Sequence, residues 1–336
     1  MTKNRPLTQK MIVITGATGH LGNVLVRKLL NQNKKLKVII LPGEDTFSLE
    51  GLEVQKVEGD VRDPGSLRRA FQGADMVFHC AGVISILPGQ NQQLYQVNVL
   101  GTRNVVNMCL ETRIKRLVYT SSIHALSEPA SGIVFDESSG FNPENVLGEY
   151  SKSKTLGTLE VIKGIEKGLD AVILCPSGII GPYDYRVSEM GKLIVDFIKG
   201  KVKVYIGGAY DFVDVRDVAK GHILAGEKGR KGECYILSGQ QISVLQLLKF
   251  LEEITGVKAP SLKVPHQVAR ITGFFNVLYC NLMKIKPLFT PFSIDVLASN
   301  SLVSCQKAQD ELGYSSRSIY ESIRDTVQWF KQKGII

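Results

Sequence analysis

Residues 11–22 read MIVITGATGHLG, and the fold turns on how this stretch is read. Ile12, Val13 and Ile14 are consecutive β-branched residues, which favour a buried strand. Gly16, Gly19 and Gly22 follow at intervals of three, and beyond them Leu25, Leu29 and Leu30 fall at helical spacing. A strand that runs through such a turn into a helix leaves bare backbone at the helix start, where a pyrophosphate can approach closely. A glycine triplet alone is a weak signal. Directly after the first strand of a strand–helix series it becomes a strong one.

Working outward, the sequence continues that series. Strands are expected at Leu36–Leu41, Val54–Val57, Met76–His79, Arg116–Thr120 and Ala171–Leu174, with a short helix near Ser66–Phe71 and a longer one at about Leu94–Leu110. Strands alternating with helices imply parallel βαβ units, so the fold class is α/β: a Rossmann-type, doubly wound parallel sheet. After Leu174 the punctuation by Pro176, Gly178, Gly181 and Pro182 is expected to make a loop that continues neither strand nor helix. The expected organisation is a dinucleotide-binding domain over 1–178, to which 207–240 and 301–318 return, and a smaller discontinuous substrate-binding region over 179–206 and 255–300.

One cofactor can be followed from end to end along this frame. Gly16, Thr18, Gly19, His20, Leu21 and Gly22 form the pyrophosphate turn. Asp60 and Val61, directly after the third strand, are placed for an adenine amino group. Cys80, Ala81 and Gly82 close the fourth strand where a nicotinamide ribose passes. The second strand runs into Ile40-Leu41-Pro42-Gly43-Glu44-Asp45, with two carboxylates and no Arg or Lys. A carboxylate there suits a ribose diol and repels a 2′-phosphate, which favours NAD, although neither acid stands at the usual strand-end position and NADP stays open.

Composition narrows the classes. The chain has 336 residues, 44% of them hydrophobic, which suits one large domain or two closely joined ones. No apolar run precedes a cleavage-like site at the start, and the most apolar later stretch, Ile271–Met283, is shorter than the roughly 20 residues of a membrane span. A cytoplasmic protein with no membrane span is expected. The six cysteines are scattered without a Cys-x-x-Cys pair and the five histidines show no ligand spacing, so reduced thiols and no metal are expected. The net charge of +9 is spread over many segments without aromatic interleaving, which argues against nucleic acid and leaves a favourable field for an anionic small molecule.

Residues 149–155, EYSKSKT, carry the chemistry. Tyr150 and Lys154 are four apart, which on a helix stacks both on one face. Lys152, Ser151 and Ser153 are expected to be inert filler between them.

With Gly59-Asp60-Val61, Asn98-Val-Leu-Gly101-Thr102, Tyr119-Thr-Ser-Ser122, Tyr150-x-x-x-Lys154, Pro176-Ser-Gly-x-x-Gly181-Pro182 and Phe212-Val-Asp-Val-Arg-Asp217 in order, the chain resembles the extended short-chain dehydrogenase/reductase family over nearly its whole length. It looks most like the 3β-hydroxysteroid dehydrogenase and dihydroflavonol-reductase-like branch. The resemblance implies Tyr150 as general acid/base, Lys154 as its electrostatic partner and holder of the ribose hydroxyls, and Ser122 as hydrogen-bond partner of the substrate oxygen, with Ser121 the alternative. It further implies cofactor contacts from Asn98, Pro176, Ser177 and Ile179. Asn98 is suited either to ordering a relay water or to a structural role. Ser85 and His124 join Ser122 and Tyr150 as candidate substrate contacts.

The loops Gly82–Leu87 and Ser177–Pro182 and the stretch Phe274–Leu288 are apolar, either as core or as the wall of a pocket for a bulky steroid- or bile-acid-like alcohol or ketone. Ser122 is followed by Ile123 and His124 instead of an acid, which disfavours dehydration. Cys175-Pro176-Ser177-Gly178 lacks the Asn found there in many sugar-nucleotide epimerases, which weakens that alternative. A non-catalytic dinucleotide sensor is argued against by Tyr150 and Lys154. The resemblance also suggests a homodimer through helices at about 94–110 and 151–166.

Overall fold

The computed structural model describes residues 10–85, 91–130, 132–273, 291–298 and 301–336. Its strands are β1 (Met11–Thr15), β2 (Lys35–Ile40), β3 (Gln55–Glu58), β4 (Met76–His79), β5 (Arg116–Thr120), β6 (Ala171–Pro176), β7 (Gly178–Ile180), β8 (Tyr205–Ile206), β9 (Ala209–Asp214), β10 (Cys234–Leu237), β11 (Gln240–Ser243) and β12 (Lys263–Val264). Seven of them form a parallel sheet in the order β10-β6-β5-β4-β1-β2-β3. The main helices are α1 (His20–Leu30), α2 (Pro64–Phe71), α3 (Asn91–Leu94), α4 (Thr102–Glu111), α5 (Gly148–Glu166), α6 (Glu189–Ile198), α7 (Val215–Lys228) and α8 (Val244–Thr255). This is the Rossmann-type α/β architecture. Among the described residues no helix is long and apolar enough to cross a membrane.

The strand period of two divides the core. Ile12 and Ile14 of β1, Val118 of β5 and Val172 and Leu174 of β6 face α1 and α7 on one side of the sheet. Val13, Leu117, Tyr119, Ile173 and Cys175 face α2, α4 and α5 on the other. Successive strands move outward from β1 to β3, and β4 then returns to the opposite side of β1. The direction of winding reverses between β1 and β4, and such a switch point opens a crevice at the carboxyl ends of the strands.

Two expectations change. Pro176 ends β6 without breaking it, because a proline at the last paired position sacrifices only a donor that the edge of the ladder does not need. Gly178–Ile180 is a strand, paired with β9, and β9 pairs in turn with β11. Gly178 permits this closeness: a Cβ there would lie 2.6 Å from the Tyr210 ring. Within 207–240, α7 and β10 return to the main sheet, whereas β9 belongs to this smaller one. A third core gathers Ile180, α6, α8 and the C-terminal helix Ile319–Gln332.

The helix expected at 94–110 is interrupted. Residues Tyr95–Gly101 form a π-helical segment between α3 and α4. Such segments insert one residue into a helix and often mark functional positions.

Candidate active site

The glycine turn is built by exclusion of side chains. Gly16 has φ 70°, and a Cβ on it would fall 2.7 Å from the Ala81 nitrogen; one on Gly22 would fall 2.0 Å from the Gly16 carbonyl oxygen. Only glycine allows β1, the end of β4 and α1 to meet this closely. Gly19 precedes α1 and offers no side-chain cap, so the first N–H groups of the helix stay open to an anion. Leu21 is buried beneath the turn, and His20 turns away, its Nε2 3.0 Å from the Pro182 carbonyl. The turn fits a dinucleotide pyrophosphate.

The remaining candidate cofactor contacts stand at or just past the carboxyl ends of β3, β4 and β6, with Asn98 on the π-helical segment and Ile179 on β7. Asp60 pairs with Arg62 (Nη2 to Oδ2 2.6 Å), and that hydrogen bond holds its carboxyl below the ordinary aspartate value against the effect of burial. Val61 is buried against Gly101. The Ala81 N–H donates to Thr15 Oγ1 at 3.1 Å, and burial pushes the Cys80 thiol up to about 11. Gly82 lies within reach of Asn98 and Lys154. Pro176 ends β6 and Ser177 follows it, its N–H donating to the Leu237 carbonyl, and Ile179 packs on the first core.

Above this crevice three side chains converge. Tyr150 and Lys154 rise from the first turns of α5, and Ser122 stands just past β5, where it caps the single turn Ile123–Ala125. Burial raises the Tyr150 pKa, while the Lys154 charge and the Ser122 hydroxyl act to lower it. Lys154, only 5% exposed, donates from Nζ to the Thr120 carbonyl at 2.7 Å and lies 4.9 Å from the centre of the Tyr119 ring. Its own pKa is lowered by burial, and Tyr150 counteracts that. Ser121, the alternative to Ser122, is engaged with Thr158 at 2.7 Å and faces α5.

Asn98 uses its side chain entirely as a clamp. Oδ1 accepts from the Val83 N–H at 2.8 Å, and Nδ2 donates to the Val83 carbonyl at 2.9 Å and to Ser153 Oγ at 3.0 Å. Ser153 in turn donates to the Tyr150 carbonyl at 2.7 Å. Ser151 and Ser153 are therefore buried parts of the frame instead of filler, while Lys152 stays at the surface.

His124 is joined to a residue that the sequence did not single out. Its Nε2 lies 2.6 Å from Tyr210 Oη, the two rings stack, and its edge faces Tyr150 with centroids 6.5 Å apart. Burial lowers the His124 pKa to about 4, so it is neutral at physiological pH. His124, Tyr210 and Asp211 line a pocket together with Ile123, Leu126, Phe135, Leu147 and Val303. Burial raises the Asp211 pKa to about 6. The signal for Tyr210 and Asp211 was the alternation in AYDFVD, but their partners come from other parts of the chain: His124 on the turn after β5 for Tyr210, and the Gly239 N–H, just past β10, for Asp211. Ser85 is partly buried, and Ile84 is exposed. Ile86, Leu87 and Phe274–Leu288 lie outside the described residues.

Residues 12–238 match the family described as the NAD dependent epimerase/dehydratase family. The chain belongs to that family. It is similar to sterol demethylase protein B of Methylococcus capsulatus, with 35% identity over 96% of this chain and 99% of the relative. It is also similar to 3beta-hydroxysteroid-dehydrogenase/decarboxylase isoform 1 of Arabidopsis thaliana, with 31% identity over 96% of this chain and 80% of that protein. Among solved structures, that of gox2253 superposes with a TM-score of 0.86 and 31% identity, covering 97% of this chain and 99% of the other. As a member of this epimerase/dehydratase family the protein is an extended short-chain dehydrogenase/reductase, an oxidoreductase of CH–OH groups whose cofactor is NAD.

Proposed function

We propose that the enzyme interconverts a secondary alcohol and a ketone on a bulky, apolar, steroid-like substrate, with Tyr150 as general acid/base. The observation that carries this reading is the convergence of Ser122, Tyr150 and Lys154 over the glycine turn, beside a pocket whose walls are largely apolar. The sterol and 3β-hydroxysteroid names of the relatives support the substrate class.

NAD, when bound, accepts or returns the hydride. The chain's own residues handle the proton. Gly16, Gly19 and Gly22 and the start of α1 hold the pyrophosphate, and Lys154 reaches the nicotinamide ribose. For oxidation, Tyr150 takes the proton from the substrate hydroxyl, and Ser122 donates a hydrogen bond to the same oxygen. A phenol at its ordinary pKa of about 10 is a poor base near neutrality, and burial alone makes it worse. The Lys154 ammonium, held by Thr120, stabilises the phenolate. In the reductive direction the same phenol returns the proton. On this reading the enzyme works in the cytoplasm as a homodimer, with sizing by light scattering as the check on assembly.

The test is a panel of 3β-hydroxysterols with and without a 4-carboxylate, bile acids, flavonoids and sugar nucleotides, assayed with both nicotinamide cofactors. NADH release in step with ketone formation is expected for a sterol. Tyr150→Phe is expected to lower kcat at least about 10²-fold. Lys154→Met is expected to shift the rise of oxidation with pH to higher pH, since the phenolate loses its cation. Tightly retained NAD with no net reduction, and conversion of a sugar nucleotide, would overturn the reading in favour of an epimerase.

A further inference from the structure

The end of β2 faces the adenosine half of the cofactor in this architecture, and the side chain there chooses between a free ribose diol and a 2′-phosphate. Glu44 stands four residues beyond the strand, yet the fold returns it to the strand end. Leu41 to Glu44 make a tight turn through Pro42 and Gly43 (φ 73°), closed by the Glu44 N–H donating to the Leu41 carbonyl at 3.0 Å. The carboxylate then lies back over the strand. Oε2 accepts from the Leu41 N–H at 3.0 Å, and Oε1 accepts from Thr18 Oγ1, in the glycine turn, at 2.7 Å. The neighbouring Asp45 is not an alternative, because it accepts from the Phe47 N–H and caps the next turn.

A guanidinium meets this carboxylate from across the crevice. Arg186 Nη2 donates to Glu44 Oε1 at 2.5 Å and to Thr18 Oγ1 at 2.9 Å. The segment that delivers it is firmly seated on α1: the Pro182 carbonyl contacts His20, the Tyr183 carbonyl accepts from Asn23 at 3.1 Å, and Tyr185 Oη accepts from Arg27 at 3.1 Å. Tyr183 and Val187 hold positive φ of 70° and 48°, a conformation kept only where the surroundings impose it. The Arg186 side chain itself is 58% exposed and the Glu44 side chain 14%, so the arginine is the partner free to swing.

We propose that Glu44 keeps a 2′-phosphate site shut: the carboxylate that suits the ribose diol also occupies Arg186, a guanidinium that would otherwise bind a 2′-phosphate. A carboxylate repels that phosphate and a guanidinium matches it with paired N–H groups. Both groups stand at the same spot, and the carboxylate holds the arginine. Removal of the carboxylate therefore does more than weaken NAD. It releases a cation already positioned beside the ribose, and the preference inverts.

The experiment is isothermal titration of the full-length protein with NAD+, NADP+, 5′-AMP and adenosine 2′,5′-bisphosphate. Because binding is read directly, the outcome does not depend on which alcohol is the substrate. The wild type is expected to prefer NAD+ and 5′-AMP. Glu44→Gln is expected to lose about tenfold or more in NAD+ affinity and to gain a similar factor for NADP+ and the bisphosphate. Glu44→Gln combined with Arg186→Ala is expected to lose that gain, and Arg186→Ala alone to leave NAD+ preferred. Glu44→Ala serves as a second carboxylate-free variant, with melting temperatures to confirm folding. An unchanged NAD+ to NADP+ ratio in both carboxylate-free variants, or a gain that survives the loss of Arg186, overturns the proposal.

Discussion

His79 lies fully enclosed at the end of β4, and the direction of its hydrogen bonds can be worked out from its neighbours. Thr102 Oγ1 donates its only proton to the Asn98 carbonyl at 2.7 Å, so it can only accept from His79 Nε2, 3.1 Å away. His79 therefore carries its proton on Nε2, and Nδ1 accepts from Thr15 Oγ1 at 2.7 Å. Thr15 in turn accepts the Ala81 N–H, so this directed chain fixes both the loop after β4 and the backbone of Asn98. A second proton would force Thr15 Oγ1 to turn its own hydrogen away from Nδ1, and burial lowers the His79 pKa to about 3; burial likewise brings the fully buried His222 to about 4. Between those values and an unfolded pKa of about 6.5, the unfolded chain binds more protons than the folded one, so stability falls as pH falls through that window. Each group removes up to about 1.4 kcal/mol per pH unit. His79→Gln is expected to cost about 1–3 kcal/mol at pH 7 through lost buried hydrogen bonds, yet to show a shallower loss between pH 7 and 5 by one proton's worth. Urea unfolding at both pH values reads this, and an unchanged slope would mean that His79 is not held neutral.

At the scale of elements, α5 packs closely on the π-helical segment through backbone and on α4 through a side chain. A Cβ on Gly157 would sit 2.3 Å from the Asn98 carbonyl oxygen, and one on Gly164 would sit 2.5 Å from Val106. Thr155 adds a bond to the Ala125 carbonyl at 2.8 Å. Together these set how deeply Tyr150 and Lys154 enter the crevice. Gly157→Ala is expected to push the helix outward, lowering stability by about 1–3 kcal/mol and kcat by about 10²-fold through misplacement on the order of 1 Å, with substrate KM moving less than kcat. Unchanged turnover would show that the close approach is not needed. The sequence made α5 legible, because a spacing of four between Tyr150 and Lys154 places both on one face whatever surrounds the helix. The π segment was not legible, since hydrophobic periodicity over 94–110 tolerates one inserted residue without changing its appearance. Nor was β7, where Pro176 and Gly178 carry local turn signals that pairing with β9 overrides. Glu44 shows the same limit: its distance from β2 along the chain hid the turn that brings it back.

In the whole molecule, the first and third cores meet where β9 runs into α7, and a charged network ties that junction to the C-terminal segments. Asp214 accepts from the Arg216 N–H at 2.7 Å, from Nε at 2.9 Å and from Nη2 at 2.7 Å, while Arg216 Nη1 reaches Asp325 on the C-terminal helix at 2.8 Å. Arg317 holds Asp217 through three bonds, from its backbone N–H at 2.8 Å, Nε at 2.9 Å and Nη2 at 2.8 Å, and approaches Asp214 at 3.7 Å. The motif Phe212-Val-Asp-Val-Arg-Asp217 was thus legible as a family feature, but its role as a fastening between cores depends on Arg317 and Asp325, about a hundred residues further on. The Asp214 side chain is fully buried, which raises its pKa, and Arg216 and Ser322 more than offset that, so it is charged well below neutrality. Arg216→Met leaves this charge buried with Arg317 as a distant partner. Breaking a buried pair from one side costs about 3–5 kcal/mol at pH 7. In the variant the folded-state pKa of Asp214 rises above its unfolded value, so the deficit is largest where the carboxylate is ionised and shrinks as falling pH protonates it. Adding Asp214→Asn removes the stranded charge and is expected to restore part of the loss at pH 7. Denaturant midpoints of the two variants at pH 7 and 5 decide the matter: a deficit that is the same at both pH values, or no rescue by the second substitution, would mean that Arg216 acts through packing and not by compensating the buried charge.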